Sequence, residues 1–128
     1  MNSSTKVPKY RSLRLVANKL AESFVSVNNL QFLKYLTAEN RTSIEIDLLK
    51  DLTFPVLHKA RLMIYQTWFA GELKKFEIPL KEISTVKIIT ARKPGTIGTY
   101  FTTTVQIKVN EEEYKDSAES FYNDSSLR

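Results

Sequence analysis

Between Tyr10 and Val27 the apolar residues Leu13, Val16, Leu20, Phe24 and Val27 recur at steps of three and four. That is the period of one face of an α-helix. Arg11, Arg14, Lys19 and Glu22 fall mainly off this stripe. The spacing predicts a helix over 10–27, with Ser12 placed to cap its start. Asn28-Asn29 interrupts the pattern, and Asn suits turns and caps. Leu30, Leu33 and Leu36, with Phe32 and Tyr35, then predict a second short helix over 30–36. Thr37 to Ser43 is polar and reads as a loop. Ile44, Ile46 and Leu48 alternate like a strand, whereas Leu48, Leu49 and Leu52 match a helical turn. The segment 44–52 is read as a strand passing into an irregular stretch. Pro55 closes it, because proline disfavours helix at the residue before it, Phe54.

From Arg61 onward the pattern predicts strands. Arg61 to Phe69 is dense in aromatic and aliphatic residues, Ala70-Gly71 reads as a turn, and Phe76, Ile78 and Leu80 alternate. Together these predict a hairpin around Gly71. Thr85 to Ala91 is the third strand-like run. Lys93-Pro94-Gly95 is a turn signal, and Thr99 to Val109 is the fourth run. In it Thr103, Val105, Ile107 and Val109 share a face opposite Thr104, Gln106 and Lys108. Branched Val, Ile and Thr fill fifteen of the 28 positions from 83 to 110, and their restricted χ1 favours strands. After Asn110 the chain turns acidic and polar, apart from Phe121, Tyr122 and Leu127.

Two helices followed by a meander of strands give an α+β fold. The expected architecture is an N-terminal helix, plus a short second one, packed on an antiparallel four-stranded sheet with a long hairpin over 85–109. Residues 1–9 read as a flexible N-terminal arm, 10–110 as one domain, and 111–128 as an acidic C-terminal tail. No internal repeat interrupts this order.

Composition narrows the chemistry. The 128 residues contain no Cys, one His (His58) and three Gly. Disulfides, thiol catalysis and cysteine-ligated metals are excluded. Gly71, Gly95 and Gly98 do not have the spacing of a phosphate-binding glycine loop. No apolar run approaches the ~20 residues that span a bilayer, and Met1 to Lys9 carries no apolar signal core. The expectation is an intracellular or virion-type soluble domain with no membrane contact. Net charge is +5, and it divides unevenly. Residues 1–110 carry 17 Lys/Arg against 8 Asp/Glu, and residues 111–128 carry 2 against 6. A basic body and an acidic tail suit an acidic partner, proximity to DNA, or contact between subunits. Ordinary solubility charge explains the same counts.

No constellation for catalysis emerges. His58 has no nucleophile and acid at a triad spacing. Glu45, Asp47 and Asp51 have no cleft that would face two carboxyls together. Glu111-Glu112-Glu113 points its carboxylates different ways on a strand or turn. The chain is therefore read as a non-enzyme without metal or cofactor.

The candidate residues are those of an interface. Tyr65 and Trp68 are either a binding surface or core beneath the helix, and strict alternation puts them on opposite faces. Arg92 and Lys93 mark a basic turn, with Tyr100 and Phe101 on the strand beside it. Arg11, Arg14 and Lys19 form the basic side of the first helix, with Arg11 and Arg14 one turn apart. Phe121 and Tyr122 are the apolar points of the tail.

The stretch from Tyr10 to Phe24, continuing through Leu30-Gln31-Phe32-Leu33-Lys34-Tyr35-Leu36, resembles the opening helix and turn of small tailed-bacteriophage neck and tail-completion proteins. The resemblance covers about the first quarter of the chain. It implies a helix packed on an antiparallel sheet and a ring-forming structural subunit in the virion, assembled in the host cytoplasm. It also implies neighbours such as the portal, an adaptor or the tail tube, and no catalytic residues. A departure is the polar stretch from Tyr114 to Arg128, where a further helix would be expected. A second likeness competes. Arg61-Leu62-Met63-Ile64-Tyr65, Phe76-Glu77-Ile78-Pro79-Leu80 and Ile83-Ser84-Thr85-Val86 are similar to runs in bacterial pleckstrin-homology-like domains. That implies a strand pair in a small barrel that binds lipid or protein. For a ring subunit, the Thr-rich hairpin 85–109 is expected to add a strand to a neighbour through an open edge.

Overall fold

The computed structural model describes residues 13–27, 29–38, 42–49 and 59–123. Helix α1 runs Leu13–Val27 and α2 Asn29–Ala38. Strand β1 is Ser43–Asp47, followed by helix α3, Lys59–Phe76, and a single 3-10 turn, Leu80–Glu82. Strands β2 (Ile83–Pro94), β3 (Gly98–Val109) and β4 (Glu112–Asn123) complete the chain. The strands form one antiparallel sheet in the order β1-β2-β3-β4. The protein is α+β, with an N-terminal helix, a short second helix and a four-stranded sheet of long strands, as the sequence pattern implies.

Helix α1 lies on one face of the sheet, over β3 and β4. Its buried stripe is Leu13, Val16, Ala17, Leu20, Ala21 and Phe24, the period read from the sequence. Ala17 and Ala21 are fully buried one turn apart, so the helix backbone sits close to the strands. The same buried core layer takes in Phe101, Val105 and Ile107 from β3, Val86 and Ile88 from β2, and Ile44 and Ile46 from β1. Thr90 and Thr103 place two hydroxyls in this layer, 3.4 Å apart and bonded to each other. That pairing avoids the cost of an unsatisfied buried donor.

Helix α3 replaces the hairpin expected around Gly71. Tyr65, Phe69 and Leu73 are buried at i, i+4 and i+8, a spacing that a helix and a strand alternation share. The helix prevails because 59–76 has few branched residues and is well supplied with Leu, Gln, Lys, Glu and Ala. Gly71 does not turn the chain, since it lies mid-helix. The real stop is a Schellman motif at Glu77, whose φ is +59°. Glu77 N–H donates to Lys74 O at 3.2 Å and Ile78 N–H to Leu73 O at 3.3 Å, which is the paired pattern of that motif. Ile78 and Leu73 are both buried, supplying its apolar contact, and Pro79, with no amide to donate, keeps α3 from running on. The strand pair implied by the pleckstrin-homology likeness is absent, because Arg61 to Tyr65 is helical.

Helix α3 is fixed against α1 by aromatic rings. The Phe24 ring centroid lies 5.4 Å from that of Tyr65 and 5.3 Å from that of Trp68, the latter edge-on. Trp68 Nε1 donates to Ser23 Oγ at 2.9 Å, and Gln66 Nε2 donates to Leu48 O at 2.7 Å. The second bond ties α3 to the end of β1.

The segment expected to be an acidic tail contains β4, paired with β3 along its whole length. Asn110 and Glu111 make the turn, with Asn110 at φ +56°, a left-handed conformation that Asn tolerates. Tyr114, Ala118 and Tyr122 pack against the core, while Glu113, Lys115, Ser117, Glu119 and Phe121 face outward. The domain therefore extends past residue 110. Because β2 and β3 each have a neighbour on both sides, the hairpin 85–109 has no open edge for strand addition. The open edges among the described residues belong to β1 and β4. The arm 1–9, Arg11 and His58 lie outside the described residues.

Candidate interaction surface

The β2–β3 hairpin ends in a tight turn. Pro94 lacks an amide donor, and Gly95 N–H donates to Gly98 O at 2.7 Å, leaving Thr96 and Ile97 at the tip. Ile97 is 71% exposed. Gly98 is required here. A Cβ on it would lie 2.3 Å from the Tyr122 carbonyl oxygen and 2.6 Å from Phe121 Cζ. The missing side chain lets β4 close on the hairpin and lets the Phe121 ring lie across the backbone.

The register then assembles a row on the outer face of the sheet. Lys93 pairs with Tyr100 and Tyr100 with Phe121. The Tyr100 and Phe121 ring centroids are 4.7 Å apart at 50°, yet the rings remain 53% and 38% exposed. Tyr100 and Phe121 thus form an exposed aromatic pair at the hairpin end of the sheet, with Ile97 exposed at the tip and Lys93 exposed in the position paired with Tyr100. Arg92 and Phe101 face the other way. Phe101 is fully buried, its ring centroid 6.1 Å from that of half-buried Tyr122. Phe101 and Tyr122 therefore belong to the core side, which the tail and strand-end readings did not anticipate.

Apart from Ile89 and Ala91, the remaining outer face is polar. Glu45 and Lys87 are 3.4 Å apart, Gln106 Nε2 donates to Glu113 Oε2, and Thr104 and Ser117 hydroxyls are bonded at 2.7 Å. Among the described residues nothing covers this face, an arrangement that an antiparallel sheet tolerates.

The other sequence candidates fall elsewhere. Tyr65 is 2% exposed and Trp68 is half-buried on Ser23 and Phe24, so both hold α3 to α1 instead of forming a surface. Arg14 is exposed with Nε 3.9 Å from Asp116 Oδ2, bridging α1 to β4. Lys19 is exposed, 3.8 Å from Glu22. Asp116 is five residues from Phe121 on β4, about 17 Å along a strand, so the helix patch and the hairpin tip are separate. Ile97 was not singled out from sequence, although the Lys93-Pro94-Gly95 turn marks its position.

Among the described residues no group of three His, Cys, Asp or Glu side chains is placed to hold a metal ion. No helix among them is long and apolar enough to cross a membrane. No family model, curated protein or solved structure matches the chain.

Proposed function

We propose that this chain is a structural assembly subunit of a tailed-phage virion. It joins a ring at the head–tail junction, in the manner of the neck and tail-completion proteins its first quarter resembles. The observation that carries the reading is the exposed Tyr100–Phe121 ring pair at the end of a long hairpin, with Ile97 exposed at its tip. Aromatic residues held out of the core with little freedom left to lose are the usual anchors of protein interfaces. The neighbours it would meet are further copies of itself and a portal, adaptor or tail-tube protein. Lys93 at the margin favours a partner surface with carboxylates around an apolar depression. The test is to image tailed particles with and without the Tyr100→Ser/Phe121→Ser variant. The reading expects the chain at the head–tail junction and its loss in the variant. Absence from particles, with binding to lipid vesicles instead, would overturn it.

A further inference from the structure

We propose that β4 is a self-complementary edge, through which two copies of this chain pair antiparallel about a two-fold axis at Ser117. Their sheets then become one continuous sheet. This goes beyond the assembly reading, which concerns the hairpin tip. A two-fold edge contact closes on itself and yields a dimer, which can serve as a building block.

The direction of the backbone groups follows from the ladder. Gly95 N–H bonds to Gly98 O, Arg92 N–H to Thr42 O and Leu48 N–H to Val86 O. Carried through the observed register, these bonds make even-numbered residues of β4 exchange hydrogen bonds with β3. Odd-numbered residues from Glu113 to Phe121 then turn their N–H and C=O groups to the open edge. Ser117 agrees: its N–H donates to its neighbour Asp116 Oδ1 at 2.8 Å. Among the described residues no strand pairs with this edge.

Charge selects the occupant. Lys115 and Glu119 stand two residues on either side of Ser117, both on the exposed outer face. Neither has an ion-pair partner among the described residues. An axis at Ser117 sets Lys115 opposite Glu119 of the second copy, and by symmetry does so twice. Neighbouring registers are worse. An axis at Asp116 sets Asp116 against itself and Glu113 against Glu119, and like charges directly opposite are destabilising. An axis at Ala118 sets Lys115 against Phe121 and leaves Glu119 opposite Ser117. In the favoured register the outward groups from 113 to 121 make about ten inter-strand hydrogen bonds. Asp116 releases the Ser117 N–H on pairing and keeps its own molecule's Arg14, 3.9 Å away. Strand β1, the other edge, offers only five residues, and its Glu45 is already beside Lys87.

Sedimentation equilibrium of the full chain tests this. A reversible monomer–dimer equilibrium is expected at concentrations up to about 1 mM. Lys115→Glu, or Glu119→Lys, replaces two attractive cross-strand pairs by two repulsive ones and weakens the dimer roughly tenfold or more. The double variant Lys115→Glu/Glu119→Lys restores it. Ser117→Pro removes an outward amide, which an edge strand tolerates. It abolishes the dimer while circular dichroism shows a folded monomer. A chain that stays monomeric throughout overturns the proposal. So does self-association unchanged by the single reversals, or not rescued by the double one. These results are independent of whether the chain is found in particles, so the two readings fail separately.

Discussion

Replacing Gly71 by Ala should stabilise the protein. Gly71 lies in the middle of α3 at a negative φ and is exposed. No heavy atom lies within 4 Å of the place a Cβ would occupy, so the new methyl meets no steric cost to set against the gain. Glycine in a helix interior is about 0.8–1.0 kcal/mol less favourable than alanine, partly because it leaves the unfolded chain more freedom. The expected gain is therefore about 1 kcal/mol, roughly a fivefold change in the folded-to-unfolded ratio. For a domain of this size it corresponds to a rise in Tm of about 3–5 °C. Urea unfolding followed by the fluorescence of Trp68, the single Trp, reports it directly. Trp68 packs against Phe24 at the α1–α3 contact, and the slope m should not change. The alternative geometry gives the opposite sign. Were 61–80 a hairpin turning at Gly71, alanine would occupy a position that turns commonly fill with φ > 0, and stability would fall. A measured loss of stability would refute helix α3.

Gly98→Ala should destabilise by about 1–3 kcal/mol, because its Cβ meets the Tyr122 carbonyl oxygen at 2.3 Å; a neutral result in the same urea assay would contradict the β3–β4 register. Phe24→Ala should cost about 3–5 kcal/mol, since the ring is fully buried against Tyr65 and Trp68, as measured by the shift in urea midpoint. Glu77→Gly should stabilise by about 1 kcal/mol in thermal unfolding, because it relieves a left-handed backbone in a non-glycine residue.

The parts of the fold that could be read from sequence are those where only one period fits. Leu13, Val16, Leu20 and Phe24 match a helix and no strand, and α1 lies where they put it. The Val, Ile and Thr density of 83–110 likewise marks β2 and β3. Helix α3 replaces the predicted hairpin because Tyr65, Phe69 and Leu73 satisfy both periods at once. The deciding signal was the scarcity of branched residues, together with Glu72 and Lys75 spaced for an i,i+3 pair, 3.0 Å apart. The end of α3 was hidden too, since a glutamate holds the left-handed position that glycine usually marks. Strand β4 was hidden for a different reason. An edge strand covered on one face by a single helix needs few apolar residues, and Tyr114, Ala118 and Tyr122 suffice. Its outer face is dominated by charge, which reads as a tail. The interaction surface was half legible. Lys93, Tyr100 and Phe121 were identified singly, but only the register places them in one row. Phe101 and Tyr122, one position further along, turn to the core by strand alternation.

The most direct test of the proposed assembly role is cryo-electron microscopy of tailed particles from the cells that make this chain, with mass spectrometry of the same particles. The expected result is a ring of this chain at the head–tail junction, with Ile97, Tyr100 and Phe121 buried against a neighbouring protein. Particles that assemble complete tails without the chain, or a ring in which those residues face solvent, would contradict it.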